Sequence, residues 1–258
     1  MSILEQGYHY DIAYVTHPGN IRQNNQDSLL IRRGTVDGRP LLLLAVADGM
    51  GGLAHGEWAS ERAVQHLNDW WERQLPTLLA GGVDMERFSS SLSVLIEQIN
   101  WNILQEKQET SGTTLTMALI YGRSYLLLQV GDSRAYLIKK DHLEQLTQDQ
   151  TWCAQQILAG NLTPEQAKEH PMRHVLISSL GVATGFSLER RQGKLHHGDG
   201  LLLVSDGFYN EMDETLLTQV GKGRKLQGDL EQVAQKILQG IAADNLTAVL
   251  LRLERGRK

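Results

Sequence analysis

Several aspartates lie within one or two residues of strongly apolar segments. Asp48 ends the apolar run of "PLLLLAVADGMGG", and three of the next four residues are glycines. Asp132 and Asp206 follow the runs "LLLQV" and "LLLVS" in the same way. Asp27 and Asp244 come just before the runs "SLLI" and "LTAVLL". One Asp-Gly pair is most often a turn, but the repeated arrangement predicts a cluster of carboxylates at the rim of a sheet.

Such a cluster would have a specific chemistry. Carboxylates on neighbouring buried strands repel one another unless protons or cations neutralise them. Aspartate oxygens without histidine or cysteine are hard ligands, which suit Mg²⁺ or Mn²⁺ better than zinc. Two such ions can activate water for attack on phosphorus. Gly49 has no side chain, so its carbonyl can approach an ion closely.

The elements that would position these residues follow from the hydrophobic pattern. Strands are predicted over 10–15, 28–33, 40–47, 113–121, 124–130, 134–139, 200–205 and 246–253. The short connections "VDGR" and "GR" suit hairpins, so the sheets are expected to be antiparallel. Several strands are apolar at nearly every position and therefore need cover on both faces.

Three amphipathic patterns, over 57–75, 86–106 and 230–241, predict helices with one apolar face each. One-sided helices on doubly buried strands predict an α+β fold, a four-layer α/β/β/α sandwich with two antiparallel sheets inside.

The segment 149–180, called the flap below, is polar and contains two prolines. Thr163 followed by Pro164 predicts the start of a short helix. We expect the flap to be an insertion that lies over the core of a single domain spanning 1–258. Its apolar residues Leu158, Leu162, Val175 and Leu176 are expected to pack.

Composition excludes several other classes of protein. The chain has 258 residues, 41% of them hydrophobic, a net charge of −5 and one cysteine. Without a long basic run, nucleic acid and anionic membranes are not expected partners. No segment has the pattern of a signal peptide or approaches the roughly 20 apolar residues of a membrane helix. A monomeric cytoplasmic protein without internal disulfides is the expectation.

Eight motifs in a fixed order carry a family resemblance from Tyr10 to Leu253. They are "NIRQNNQDS", "VADGMGGLAHGEWAS", "SGTTLTMALI", "VGDSRAYLI", "LTQDQT", "SLG", "LLLVSDGFY" and "DNLTAVLL". The ordered set resembles the bacterial branch of the PP2C (PPM) family of metal-dependent protein phosphatases. The resemblance implies a sandwich of two antiparallel sheets flanked by helices. It also implies hydrolysis of phosphoserine and phosphothreonine by water activated by two Mn²⁺ or Mg²⁺ ions.

The resemblance further implies roles for the acidic residues. Asp48 corresponds to the residue that bridges both metals, and Asp206 and Asp244 complete the first metal site. The carbonyl of Gly49 joins the second metal site. Asp132, together with Asp206, matches a third and weaker metal site of bacterial members.

Two further positions match the catalytic machinery of the family. Asp27 corresponds to the acid that holds metal-bound water, and Arg22 to the arginine that binds phosphate. A guanidinium can hold two phosphate oxygens at once and stays charged.

The chain also departs from the family pattern. Met50 stands where many eukaryotic members have a histidine proposed as the general acid, and Leu53 where bacterial relatives often carry one. His55 lies two residues further on, and we interpret it as a surface histidine because proton transfer needs hydrogen-bond reach. Gln150 stands where a histidine is common, which leaves the anchoring of the flap open.

The expected partners are phosphorylated proteins, as targets of a bacterial serine/threonine kinase. One alternative is a catalytically weak regulatory module or pseudophosphatase of the same fold, against which the complete acidic set and Arg22 argue. Another is a metal-dependent phosphodiesterase or nuclease, which would need a basic groove for its substrate. The charge balance provides no such groove.

Overall fold

The computed structural model describes residues 2–5, 8–51, 55–106, 111–140, 142–212 and 225–255. Two antiparallel sheets form its centre. The first sheet contains, in spatial order, β1 (Ser2–Glu5), β2 (Tyr8–His17), β12 (Leu246–Arg255), β11 (Gly200–Val204), β8 (Arg134–Ile138) and β9 (Leu143–Gln145). The second contains β10 (Glu189–Lys194), β7 (Ser124–Val130), β6 (Leu115–Tyr121), β4 (Arg39–Gly51) and β3 (Asp27–Val36), and β5 (Ser111–Thr113) pairs with β4.

The hairpin between β3 and β4 sets the register of the second sheet. Asp37 and Gly38 both have positive φ angles, 50° and 67°. Two successive left-handed residues match the twist of the flanking strands, which is why short hairpins prefer such turns. The predicted hairpin at "VDGR" is therefore confirmed, and its register places Asp27 opposite Asp48.

The strand β4 shows why its sequence is apolar at every position. Leu42, Leu44 and Val46 belong to the core between the two sheets. Leu41 and Leu43 belong to a second core between this sheet and the helices. Alternate side chains of one strand thus serve two different cores.

Helices cover the outer faces of both sheets. The second sheet carries α1 (His55–Asp69), a π-helical turn (Trp70–Gln74), α2 (Leu75–Leu79) and α3 (Met85–Glu106). Buried residues of α7 (Leu226–Leu238) join a third core on the outer face of the first sheet. The predicted four-layer α/β/β/α sandwich is confirmed.

The helix predictions were wrong in extent at two places. The first helix is interrupted by the π-helical turn at Trp70 before α2 begins. The third helix ends at Leu238, and Ile241 beyond it is 70% exposed instead of belonging to the apolar stripe.

The flap contains α4 (Trp152–Leu158) and α5 (Pro164–Lys168). Thr163 caps α5, and its side chain accepts a hydrogen bond from the Gln166 backbone while the Gln166 side chain accepts one from Thr163 N. This capping box confirms the predicted helix start. The packing predicted for the flap was wrong in part, because Leu158 is 71% and Val175 43% exposed.

Four of the strands described above were not predicted, namely β1, β5, β9 and β10. The strand β10 lies at the edge of its sheet and has the polar sequence "ERRQGK", which lacks the apolar signal of a strand. Among the residues that the structure describes, no helix combines the length and apolar character needed to cross a membrane.

Candidate metal centre

The backbone of two neighbouring strands positions Asp27 and Asp48. Asp27 begins β3, and the register places it directly opposite Asp48 on β4. Asp48 N donates a hydrogen bond to Thr114 Oγ1 at 3.0 Å. Asp48 O accepts bonds from Thr114 N at 2.8 Å and Thr113 Oγ1 at 3.0 Å. The main chain at Asp48 is therefore held on both its donor and its acceptor side.

The other three aspartates come to the same region from the ends of different strands. Asp206 follows β11 and begins the short helix α6 (Asp206–Tyr209). Asp244 precedes β12, the neighbour of β11. A Cβ at Gly207 would overlap the Asn245 carbonyl oxygen, so the turn after Asp206 packs tightly on the chain that carries Asp244. Asp132 lies between β7 and β8.

Asp27 and Asp132 are the buried members of this set, with 8% and 6% of their surface exposed. Ser205 Oγ donates a hydrogen bond to Asp27 Oδ2 at 2.8 Å, whereas the buried Oδ1 has no hydrogen-bond partner in the described part of the chain. Burial raises the pKa of Asp27 to about 7, with contributions from the charges of Asp206 and Asp244. An unpaired buried carboxylate oxygen is costly unless a cation or proton compensates it.

The remaining carboxylates influence one another in the same direction. Burial raises the pKa of Asp48 well above its ordinary value, and the charges of Asp27, Asp206, Asp132 and Asp244 raise it further. Burial and the charge of Asp206 raise the pKa of Asp132 to about 8. Burial and Asp244 raise the pKa of Asp206. All five predicted aspartates thus belong to one electrostatically coupled group.

This group fits a hard divalent cation in its chemistry. No three histidine, cysteine, aspartate or glutamate side chains in the described ranges form a ready-made cage. The donors present are nevertheless all carboxylate oxygens, which Mg²⁺ and Mn²⁺ prefer. The unpaired Oδ1 of Asp27 and the raised pKa values identify negative charge that a cation would stabilise.

Packing alone requires glycine at position 49. A Cβ there would overlap the Gly56 carbonyl oxygen and lie 2.7 Å from Gln26 O. Gly49 N also donates a hydrogen bond to Gln26 O at 3.2 Å. The close approach of three backbone segments is thus a stronger reason for this glycine than the access of its carbonyl to an ion.

Arg22 lies beside the acidic group. Its Nε and Nη2 donate to the two oxygens of Asp244 at 2.9 and 2.8 Å, and 53% of its side chain is exposed. The hydrogen bond with Asp244 and the charges of Asp244, Asp206 and Asp48 raise its pKa. The structure therefore brings the predicted phosphate-binding arginine to the predicted metal ligands.

The flap contributes a residue that sequence reasoning missed. His174 Nδ1 lies 3.7 Å from Asp206 Oδ2. No motif pointed to it, because it lies in a polar segment without strand or helix periodicity. The alternative histidine, His55, begins α1, but its side chain and the whole of Leu53 lie outside the described residues.

The side chain of Gln150 anchors the base of the flap. Its side chain is buried and accepts a hydrogen bond from Gly131 N at 2.9 Å. Its Nε2 donates to Ser187 O at 3.2 Å. Glutamine thus fastens the base of the flap to the loop that carries Asp132.

A partly buried arginine joins the base of the flap to α6. Arg134 donates to both oxygens of Asp149, at 2.9 and 2.6 Å, and to Tyr136 Oη at 3.0 Å. Its guanidinium carbon lies 3.7 Å from the centre of the Tyr209 ring. The Arg134 guanidinium therefore contacts both the start of the flap and the helix that Asp206 begins.

Known proteins resemble this chain in sequence and in fold. The family model described as protein phosphatase 2C matches residues 20–250. The serine/threonine phosphatase Stp of Listeria monocytogenes is 31% identical over 249 residues, which cover 94% of this chain and 96% of that protein.

Solved structures show the same similarity. A serine/threonine phosphatase from S. agalactiae superposes with a TM-score of 0.85 at 29% identity, covering 95% of this chain and 100% of that one. The catalytic domain of the phosphatase PstP, in complex with two manganese ions, gives a TM-score of 0.76 at 26% identity and covers 95% and 98%. The chain therefore belongs to the protein phosphatase 2C family, in its bacterial branch of metal-dependent serine/threonine protein phosphatases.

Proposed function

We propose that this protein hydrolyses phosphoserine and phosphothreonine in proteins with two divalent cations, Mn²⁺ or Mg²⁺, held by its acidic group. The observation that carries the proposal is the convergence of Asp27, Asp48, Asp206 and Asp244 beside Arg22. The bound cations would supply an activated water and neutralise charge on the phosphate.

The chain's own residues would position the reacting groups. Asp48 would bridge the two cations, with Asp206 and Asp244 on the first and the Gly49 carbonyl on the second. Asp132 and Asp206 would hold a third, weaker ion. The rigid main chain at Asp48 supports this assignment, because ligands on fixed backbone keep their geometry through the reaction.

Asp27 would hold the attacking water in place. Ser205 Oγ fixes Asp27 Oδ2, so the unpaired Oδ1 remains as the acceptor for a proton of that water. A hydrogen-bonded neighbour that orients a catalytic carboxylate is a general feature of such sites.

Arg22 would bind the phosphate and orient it for in-line attack. Its two donors lie in one plane at 2.9 and 2.8 Å from the Asp244 oxygens, the spacing that also fits two oxygens of a phosphate. More than half of its side chain is accessible to a substrate.

At the level of the whole chain, we propose a single domain over 1–258 with the flap as an insertion beside the site. The substrates would be proteins phosphorylated by a serine/threonine kinase. A weak regulatory module of the same fold is not favoured, because mutually repelling buried acids destabilise a protein that has no use for them.

The test is hydrolysis of p-nitrophenyl phosphate and of a phosphothreonine peptide with added Mn²⁺. EDTA should abolish activity, and Asp48→Asn or Asp206→Asn should each lower kcat by more than about 100-fold. Asp69→Asn, on the exposed end of α1, is the matched control and should keep wild-type activity. Full activity of the wild-type protein in EDTA would show that the proposal is wrong.

A further inference from the structure

Two loops lie side by side at the edge of the site. The loop 18–26 carries Arg22, and the loop 239–245 carries Asp244. Asn20 N donates a hydrogen bond to Ala242 O at 2.8 Å. Asn20 Nδ2 donates to Leu238 O at 2.8 Å and Gly240 O at 3.2 Å, and so caps the end of α7. Three hydrogen bonds from Asn20 therefore join the two loops.

Asn245 holds the loop 18–26 through three side-chain hydrogen bonds. It is 5% exposed, and its Nδ2 donates to Pro18 O and Asn24 O, both at 2.9 Å. Its Oδ1 accepts a hydrogen bond from Gln26 N at 2.8 Å. One buried amide thus holds both ends of the loop that carries Arg22 and uses every hydrogen-bonding group it has.

The backbone of both loops is tightly constrained. Gly19 has φ +81°, and a Cβ there would overlap Asp244 O. Ala242 has φ +41° and is 1% exposed. A non-glycine residue in this region costs about 1–2 kcal/mol and persists only where its surroundings hold it. The conformation of the loop pair is therefore formed before any substrate binds.

This rigid pair exposes two large aliphatic side chains. Ile21 is 64% and Ile241 70% exposed. They lie one residue away from the hydrogen-bonded pair Asn20–Ala242, one on each loop, and Ile21 directly precedes Arg22. A single exposed isoleucine is ordinary. Two on hydrogen-bonded loops next to Arg22, the residue proposed to bind phosphate, place exposed apolar area where a substrate would approach.

We propose that Ile21 and Ile241 form a subsite for an aliphatic side chain next to the phosphorylated residue of the substrate. The proposal rests on the function proposed above, in which Arg22 holds the phosphate. An extended chain advances about 3.3–3.6 Å per residue, so the immediate neighbours of the phosphorylated residue reach the side chain adjacent to Arg22.

The experiment compares two phosphothreonine peptides that differ only in the residues immediately before and after the phosphothreonine, leucine in one and serine in the other. The measured quantity is the ratio of their kcat/KM values with Mn²⁺. The wild-type protein should prefer the leucine peptide about tenfold. The double variant Ile21→Ser, Ile241→Ser should reduce this ratio to about 1, and Ile21→Val with Ile241→Val should leave most of it.

Val94→Ser is the matched control, because Val94 is 53% exposed on α3 and should leave the ratio unchanged. A wild-type ratio near 1, or a ratio that survives the double serine change, overturns the subsite but leaves the proposed function standing. If the wild-type protein hydrolyses neither peptide nor p-nitrophenyl phosphate, the proposed function itself fails. Thermal unfolding of each variant shows whether it is folded.

Discussion

The two sides of the acidic site are built in different ways. On the strand side, Asp27 and Asp48 are positioned by the main-chain ladder between β3 and β4. On the loop side, Arg22 and Asp244 are positioned by side chains, chiefly that of Asn245. The strand side therefore depends on backbone packing, and the loop side on a few hydrogen bonds that one substitution can remove.

This difference predicts that a substitution on the strand side lowers catalytic activity more than one on the loop side. Gly49→Ala should lower kcat by more than about 100-fold, because the new Cβ would overlap backbone atoms of Gly56 and displace the neighbouring Asp48. Such crowding should also lower the free energy of unfolding by about 1–3 kcal/mol. Steady-state kinetics and urea unfolding measure both effects.

Gly185→Ala is the matched control for this prediction. A Cβ at Gly185 meets no atom within 4 Å, so activity and stability should stay at wild-type values. A Gly49→Ala protein as active as the Gly185→Ala protein would contradict the tight packing of the strand side.

On the loop side, Asn245→Ala should lower kcat/KM by about 10-fold, mainly through a higher KM, because the Arg22 loop loses the three hydrogen bonds that fasten it. Asn20→Ala removes two side-chain hydrogen bonds of an exposed residue and should change kcat/KM less than about threefold. Inhibition by inorganic phosphate gives a second measure of Arg22 placement. A larger effect of Asn20→Ala would reverse the proposed order of importance.

The acidic group also predicts how the stability of the metal-free protein changes with pH. The pKa values of Asp27 and Asp132, about 7 and about 8, lie above the ordinary value of 3.8. The folded protein thus binds these protons more tightly than the unfolded chain, so stability falls as pH rises from about 4 to about 8. In EDTA, the Tm should therefore fall between pH 5 and pH 8, as thermal unfolding at a series of pH values would measure.

Two comparisons separate these carboxyls from other titrating groups. Added Mn²⁺ should reduce the fall in Tm, since a cation replaces the protons. Asp132→Asn should reduce it as well, because one of the two groups is gone. A Tm that rises over this pH range would contradict the assignment.

The same contrast explains which parts of the fold and of the candidate site could be predicted from the sequence. Apolar runs located most strands of both sheets, and the "VDGR" turn set the register that pairs Asp27 with Asp48. Strand positions are predictable because side chains alternate between faces with a fixed period.

Positions that depend on individual side chains were not predictable. Nothing in the pattern indicated that Asn245 would hold the Arg22 loop, or that His174 would approach Asp206. The polar edge strand β10 and the exposed Leu158 differ from expectation for the same reason, since neither follows from hydrophobic periodicity.

The partly buried guanidinium of Arg134 has a mechanical consequence. It contacts both Asp149 and the Tyr209 ring, and the side chain of Gln150, the next residue after Asp149, accepts a hydrogen bond from Gly131 N. The first residues of the flap are therefore part of the rigid frame that carries the acidic side chains. The acidic side chains can therefore keep their positions only if any movement of the flap begins beyond Gln150.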